Sequence, residues 1–126
     1  MRKNAEKSPI VGACPFRSVV ARFGNKWSFL VLYVLNENGA TRFSELCNLI
    51  PDVSARVLSS TLKILEADAL ISRKVYPVVP PKVEYKLTEI GISLIPIIME
   101  LAEWAQENME AIISHRQKYE RKHLEG

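Results

Sequence analysis

Three successive segments of the chain repeat apolar side chains at helical spacing, and a fourth switches to strict alternation. In "KWSFLVLYVLNENG" Trp27, Leu30, Val31, Val34 and Leu35 fall on one stripe, and Gly39 supplies the stop, which predicts a core helix. In "TRFSELCNLIP" Phe43, Leu46, Cys47 and Ile50 keep the same period until Pro51, predicting a helix of about ten residues. After the turn "PDV", Ser54 can accept a hydrogen bond from the free N–H groups of a further helix running to about Glu66 or Ala67. Two short helices joined by a tight turn make a helix-turn-helix.

The second of these helices is two-sided. Arg56, Ser59, Ser60 and Lys63 recur at i, i+3, i+4 and i+7, one continuous polar face, while Val57, Leu58, Leu62 and Leu65 take the other side. The period then changes to two. "ISRKVY" sets Ile71, Arg73 and Val75 on one side, and "VEYKL" does the same with Val83, Tyr85 and Leu87. Between them "PVVPPK" holds three prolines, so the two strands form a β-hairpin with a stiff tip.

Upstream, residues 1–13 read as a loose arm, and "CPFRSVVARFG" as a short helix with Pro15 at its first position and Gly24 beyond its end. Downstream, Thr88 is placed to cap a helix whose apolar residues cover far more than one stripe, with Pro96 expected to kink or restart it. A helix so apolar in a small domain needs a partner, and a homodimer supplies one. Trp27 and Trp104 read as core, with a small-molecule effector pocket near them left open. The last residues, 114–126, form a polar tail that extends the helix and frays. The domain proper therefore spans residues 14–113.

Composition narrows the picture further. A chain of 126 residues with 48% apolar content suits one globular domain. No export signal opens it, and the apolar run 90–105 carries Glu100, Glu103 and Pro96 and falls short of the roughly 20 residues of a membrane span. The expectation is a cytoplasmic protein without a membrane partner. Cys14 and Cys47 are too few for a disulfide scaffold and have no metal-ligand spacing, so no metal and no cofactor are expected.

Charge is distributed unevenly. Residues 1–28 carry six Lys/Arg against one Asp/Glu, residues 42–87 seven against five, and residues 88–126 four against seven. The basic front and middle suit a polyanion, and the acidic back suits another task. An enzyme is disfavoured: His115 and His123 lie in the polar tail, and there is no glycine-rich phosphate loop.

Helix, helix, helix-turn-helix and hairpin in this order describe a winged helix-turn-helix: mainly α with a small β-hairpin and a long C-terminal helix contributing to a dimer interface. In that geometry the second helix of the motif enters the major groove of double-stranded DNA. Arg56 can pair with guanine in bidentate fashion and Lys63 can hold a phosphate, while Ser54, Ser59 and Ser60 keep the face low. Arg42 and Ser44 stand at the start of the preceding helix, within reach of the DNA backbone. Arg73, Lys74 and the tip residue Lys82 complete the candidate contacts. For each of these cations the alternative is a merely solvated side chain. The alternative for the whole chain is a winged-helix protein–protein interaction module without sequence-specific DNA binding.

The strings "GNKWSFLVLYVL", "RFSEL" and above all "PPKVEYKLTEIG", with "CP" before the first helix, resemble the HxlR-type regulators, winged-helix transcription factors related in architecture to the MarR group. The resemblance covers about residues 14–104. It implies a homodimer joined through first and last helices, a two-fold operator, more often repression than activation, and commonly a redox or electrophile response. Cys14, just before a helix and near Arg17, is the candidate sensor, since helix N–H groups and a cation favour thiolate. Cys47 reads as a small core residue. One departure concerns the turn after the recognition helix, where the family usually has glycine and this chain has Ala69. If that position requires a left-handed backbone, alanine costs on the order of 1 kcal/mol there.

Overall fold

The computed structural model describes residue 21 and residues 25–125 of the chain. The arm, the helix expected over residues 15–23, and Cys14 with Arg17 lie outside the described residues. Among those described, the elements run α1 (Ser28–Asn38), β1 (Thr41–Arg42), α2 (Phe43–Leu49), α3 (Ala55–Ala67), β2 (Ile71–Tyr76), β3 (Lys82–Leu87) and α4 (Glu89–Glu125). The chain divides into two compact units, Met1–Ser93 and Leu94–Gly126.

The core of the first unit is aliphatic. Val31, Leu32 and Leu35 of α1, Leu46 of α2, and Leu58, Leu62 and Leu65 of α3 are almost wholly buried. Ile71 and Leu87 close the core from the sheet, where they stand opposite each other on β2 and β3. Helix α1 packs on β3, α2 and α3, and α3 also packs on β2. The phase expected for α1 is corrected here: Leu30 is 39% exposed, whereas Leu32 is completely buried. Residues 29–32 are all apolar, so spacing alone could not choose the buried side, and contact with α3 and β3 decides it.

Helix α2 has 7 residues, shorter than the periodicity suggested. Thr41 and Arg42 are extended instead and pair with Tyr85 and Glu84 of β3, so the expected hairpin is a three-stranded antiparallel sheet in the order β1-β3-β2. Thr41 is buried and its hydroxyl donates to the Gly39 carbonyl at 2.7 Å. Gly39 ends α1 at φ 70° and ψ −149°, a region that essentially only glycine occupies.

The end of α3 is a double-hydrogen-bonded left-handed cap. Leu70 N–H donates to the Leu65 carbonyl and Ala69 N–H to the Glu66 carbonyl, both at 3.0 Å. This is the Schellman pattern, and Ala69 takes the position that glycine usually fills, at φ 63°. The expected left-handed backbone is therefore present.

The start of α4 is built against this turn. Thr88 caps it, its Oγ1 accepting from Gly91 N–H at 3.1 Å and donating to the Ala69 carbonyl at 2.5 Å, while Thr88 N–H donates to the Leu70 carbonyl at 3.1 Å. A Cβ on Gly91 would lie 2.1 Å from that same Leu70 oxygen. The "LTEIG" string thus has a structural meaning: threonine ties two turns together and glycine admits the close approach.

Helix α4 is continuous from Glu89 to Glu125, so the restart entertained at Pro96 does not occur, and the polar end of the chain is helical to Glu125. In the second unit Ile97, Leu101 and Trp104 lie at i, i+4 and i+7, and are 61%, 48% and 54% exposed. The core assignment of Trp104 is thereby corrected. Among the described residues no helix is long and apolar enough to cross a membrane.

Candidate nucleic-acid interface

Ser54 sets the first turn of α3. Its backbone is extended and its Oγ accepts from Val57 N–H at 3.1 Å, as expected of a capping serine. From there Arg56, Ser60 and Lys63 are exposed and Ser59 is half-buried, on the side opposite Leu58, Leu62 and Leu65. The polar face inferred from spacing exists as one surface. Val57 departs from the expected pattern and is 38% exposed, because the apolar side of α3 is only wide enough to bury residues 58, 61, 62 and 65. Ser60 donates its hydroxyl to the Arg56 carbonyl at 3.1 Å, which keeps it close to the helix.

Thr61 is the feature that spacing arguments passed over. It is completely buried, donates from Oγ1 to the Val57 carbonyl at 2.8 Å, and accepts from Asn25 Nδ2 at 2.8 Å. Asn25 in turn accepts Trp27 N–H through Oδ1 at 2.9 Å. One asparagine therefore ties the segment before α1 to the middle of α3 and helps to set where the polar face points. A threonine in phase with Leu58, Leu62 and Leu65 is a readable signal, since a buried hydroxyl requires a partner.

The other candidate residues sit on the sheet and on α2. Arg42 ends β1 and precedes α2, with its N–H donating to Glu45 Oε1 at 2.9 Å, and Ser44 is exposed in the first turn of α2. Arg73 and Lys74 are both exposed but occupy alternate positions on β2, so they leave the sheet on opposite faces. Lys82 lies in β3 and not in the loop; its Nζ is 3.3 Å from Glu84 Oε2 and 4.9 Å from the centre of the Tyr76 ring. Tyr76 donates its hydroxyl to Glu84 Oε1 at 3.0 Å. That hydrogen bond, followed by the bond and charge of Lys82 and the charge of Lys74, holds the Glu84 carboxyl below the usual carboxylate range. It is ionised at neutral pH.

Between the strands, the tip carries Val78 and Val79 at 52% and 99% exposure. Cys47 is partly accessible, a correction to its assignment as a core residue, because α2 turns only Leu46 fully inward.

The polar face of α3 has the form that a major groove accepts, and the comparisons with known proteins agree. The model of the HxlR-like helix-turn-helix family matches residues 22–113. The HTH-type transcriptional regulator YkvN of Bacillus subtilis is 50% identical over 92 residues, covering 73% of this chain and 77% of that protein. The HTH-type transcriptional regulator BH0655 of Halalkalibacterium halodurans is 47% identical over 94 residues, 75% of this chain and 83% of its own. Among solved structures, the redox regulator HypR in its reduced form superposes with a TM-score of 0.71 at 38% identity, covering 79% of this chain and 98% of that one.

Proposed function

The chain belongs to the HxlR-like helix-turn-helix family of transcriptional regulators, and on that premise we propose that it acts in the cytoplasm as a homodimeric repressor on a two-fold DNA operator. The observation that carries the reading is the exposed face of α3, where Arg56, Ser60 and Lys63 are open to solvent while the opposite side is buried in the core. Arg56 reads a guanine through two parallel hydrogen bonds, and Lys63 holds a phosphate. Ser54, Ser59, Arg42 and Ser44 line the approach to the backbone. Arg73, Lys74 and, once released from Glu84, Lys82 add contacts from the wing.

The apolar stripe Ile97, Leu101 and Trp104 supports the dimer, since three large exposed side chains on one helix face are what a second copy would cover. Two α3 helices so paired enter successive major grooves about 34 Å apart on straight DNA. A thiol response through Cys14 agrees with the redox function of HypR.

Fluorescence anisotropy against an operator duplex from upstream of the chain's own gene and a scrambled duplex tests the reading. Arg56→Ala is expected to lose about 1–3 kcal/mol of preference for one base pair. Lys63→Ala is expected to weaken binding to both duplexes and flatten the salt slope by about 0.9. Oxidant should release the reduced protein from the operator and leave Cys14→Ser bound. Equal affinity for the two duplexes in every salt would refute the regulator reading.

A further inference from the structure

The three-stranded sheet has two chemically different faces. Directly opposed residues on neighbouring strands project to the same side. Thr41, Ile71 and Leu87 are buried on the core face. The pairing puts Arg42 and Lys74 opposite Glu84 from the two flanking strands, Tyr76 opposite Lys82, and Ser72 opposite Lys86, all on the outer face. Arg42, Lys74 and Lys86 are exposed there.

One carboxylate therefore stands among four cations on the outer face. Glu84 holds Lys82 at 3.3 Å and the Tyr76 hydroxyl at 3.0 Å, and its side chain is 19% exposed. The ammonium groups of Lys74 and Lys82 each lie 4.9 Å from the centre of the Tyr76 ring. Lys82 and Lys86 are four residues apart on one strand, about 13 Å, so a single anion cannot serve both. The face keeps a positive surplus spread over a length that suits a chain of phosphates.

We propose that Glu84 sets the strength of the DNA-backbone contacts made from this outer face, by competing with phosphate for Lys82 and its neighbours. The inference deepens the DNA-binding reading and rests on it. Charge complementarity selects the partner: repeated cations with one aromatic ring among them match a polyanion, and the residues of the face include no aliphatic anchor for a protein. A phosphate that engages Lys82 shares its ammonium with the Glu84 carboxylate, which also repels it, so only part of the contact energy is realised. Because backbone contacts carry no sequence information, operator and non-operator DNA are affected alike.

Glu84→Gln tests this directly, since glutamine keeps the shape and a carbonyl to accept the Tyr76 hydroxyl. Binding is measured by anisotropy on operator and scrambled duplexes between about 50 and 200 mM salt. Glu84→Gln is expected to bind both duplexes about 3- to 10-fold tighter at the low-salt end, with a slope steeper by about one and the operator preference unchanged. The double variant Lys74→Gln/Lys86→Gln, at two exposed positions, is expected to show the reverse. Wild-type affinity and slope in both variants would overturn the inference. Thermal melts accompany the titrations; if Glu84→Gln melts early, the double variant decides, and an unchanged slope in it overturns the proposal. Absence of operator preference in the wild type would refute the regulator reading alone, because the scrambled duplex still judges the outer face.

Discussion

Replacing Ala69 by glycine should stabilise this protein. Ala69 sits at φ 63° in the turn that ends α3. An L-residue there brings its Cβ too close to the following carbonyl oxygen, at about 1–2 kcal/mol. Glycine removes that clash but loses about 0.4–1 kcal/mol more backbone entropy on folding. The difference leaves roughly 1 kcal/mol in favour of Ala69→Gly. The hydrogen bonds that define the turn, Ala69 N–H to Glu66 and Leu70 N–H to Leu65, involve only backbone and survive the change. For a chain of this size the gain corresponds to a rise of about 4 °C in melting temperature. The assay is a thermal melt by circular dichroism at fixed protomer concentration, because the proposed dimer would make the midpoint concentration-dependent. Ala69→Asn should fall between the two, as asparagine tolerates the left-handed region, and Ala69→Val should melt well below wild type. A glycine variant at or below the wild-type midpoint, with valine no worse, would show that Ala69 carries no strain.

Gly91→Ala is expected to cost about 3 kcal/mol or more, because the added Cβ would sit 2.1 Å from the Leu70 oxygen, a backbone atom that cannot rotate away; chemical denaturation reads the loss, and a variant as stable as wild type would contradict the packing of α4 on this turn. Thr61→Val keeps the shape but strands the Asn25 amide, so unfolding by urea should show about 1–2 kcal/mol of destabilisation, with no loss refuting the hydrogen-bonded role. Trp104→Glu should weaken the proposed dimer by ~10-fold or more in sedimentation equilibrium, whereas an unchanged association constant would remove this stripe from the interface.

What could be read from residue order alone was whatever depends on near neighbours. Helix α3, its Ser54 cap, the polar face of Arg56, Ser60 and Lys63, the two wing strands and the Thr88 cap all follow from periods of 3.6 and 2 and from capping chemistry, which are local. The strand at Thr41 was hidden because two residues have no period, and they become a strand only where β3 presents unpaired backbone to them. Leu32 displaced Leu30 in the core because an all-apolar stretch has no phase until α3 and β3 choose a side. The bond from Asn25 to Thr61 spans 36 residues, and the ring of Arg42, Lys74, Lys82 and Lys86 around Glu84 draws on three strands. Composition counted those cations, but only the antiparallel register put them on one face. Tertiary structure decided these features because register and close approach join residues far apart in the chain, and no spacing rule along a single segment encodes which distant segment will lie beside it.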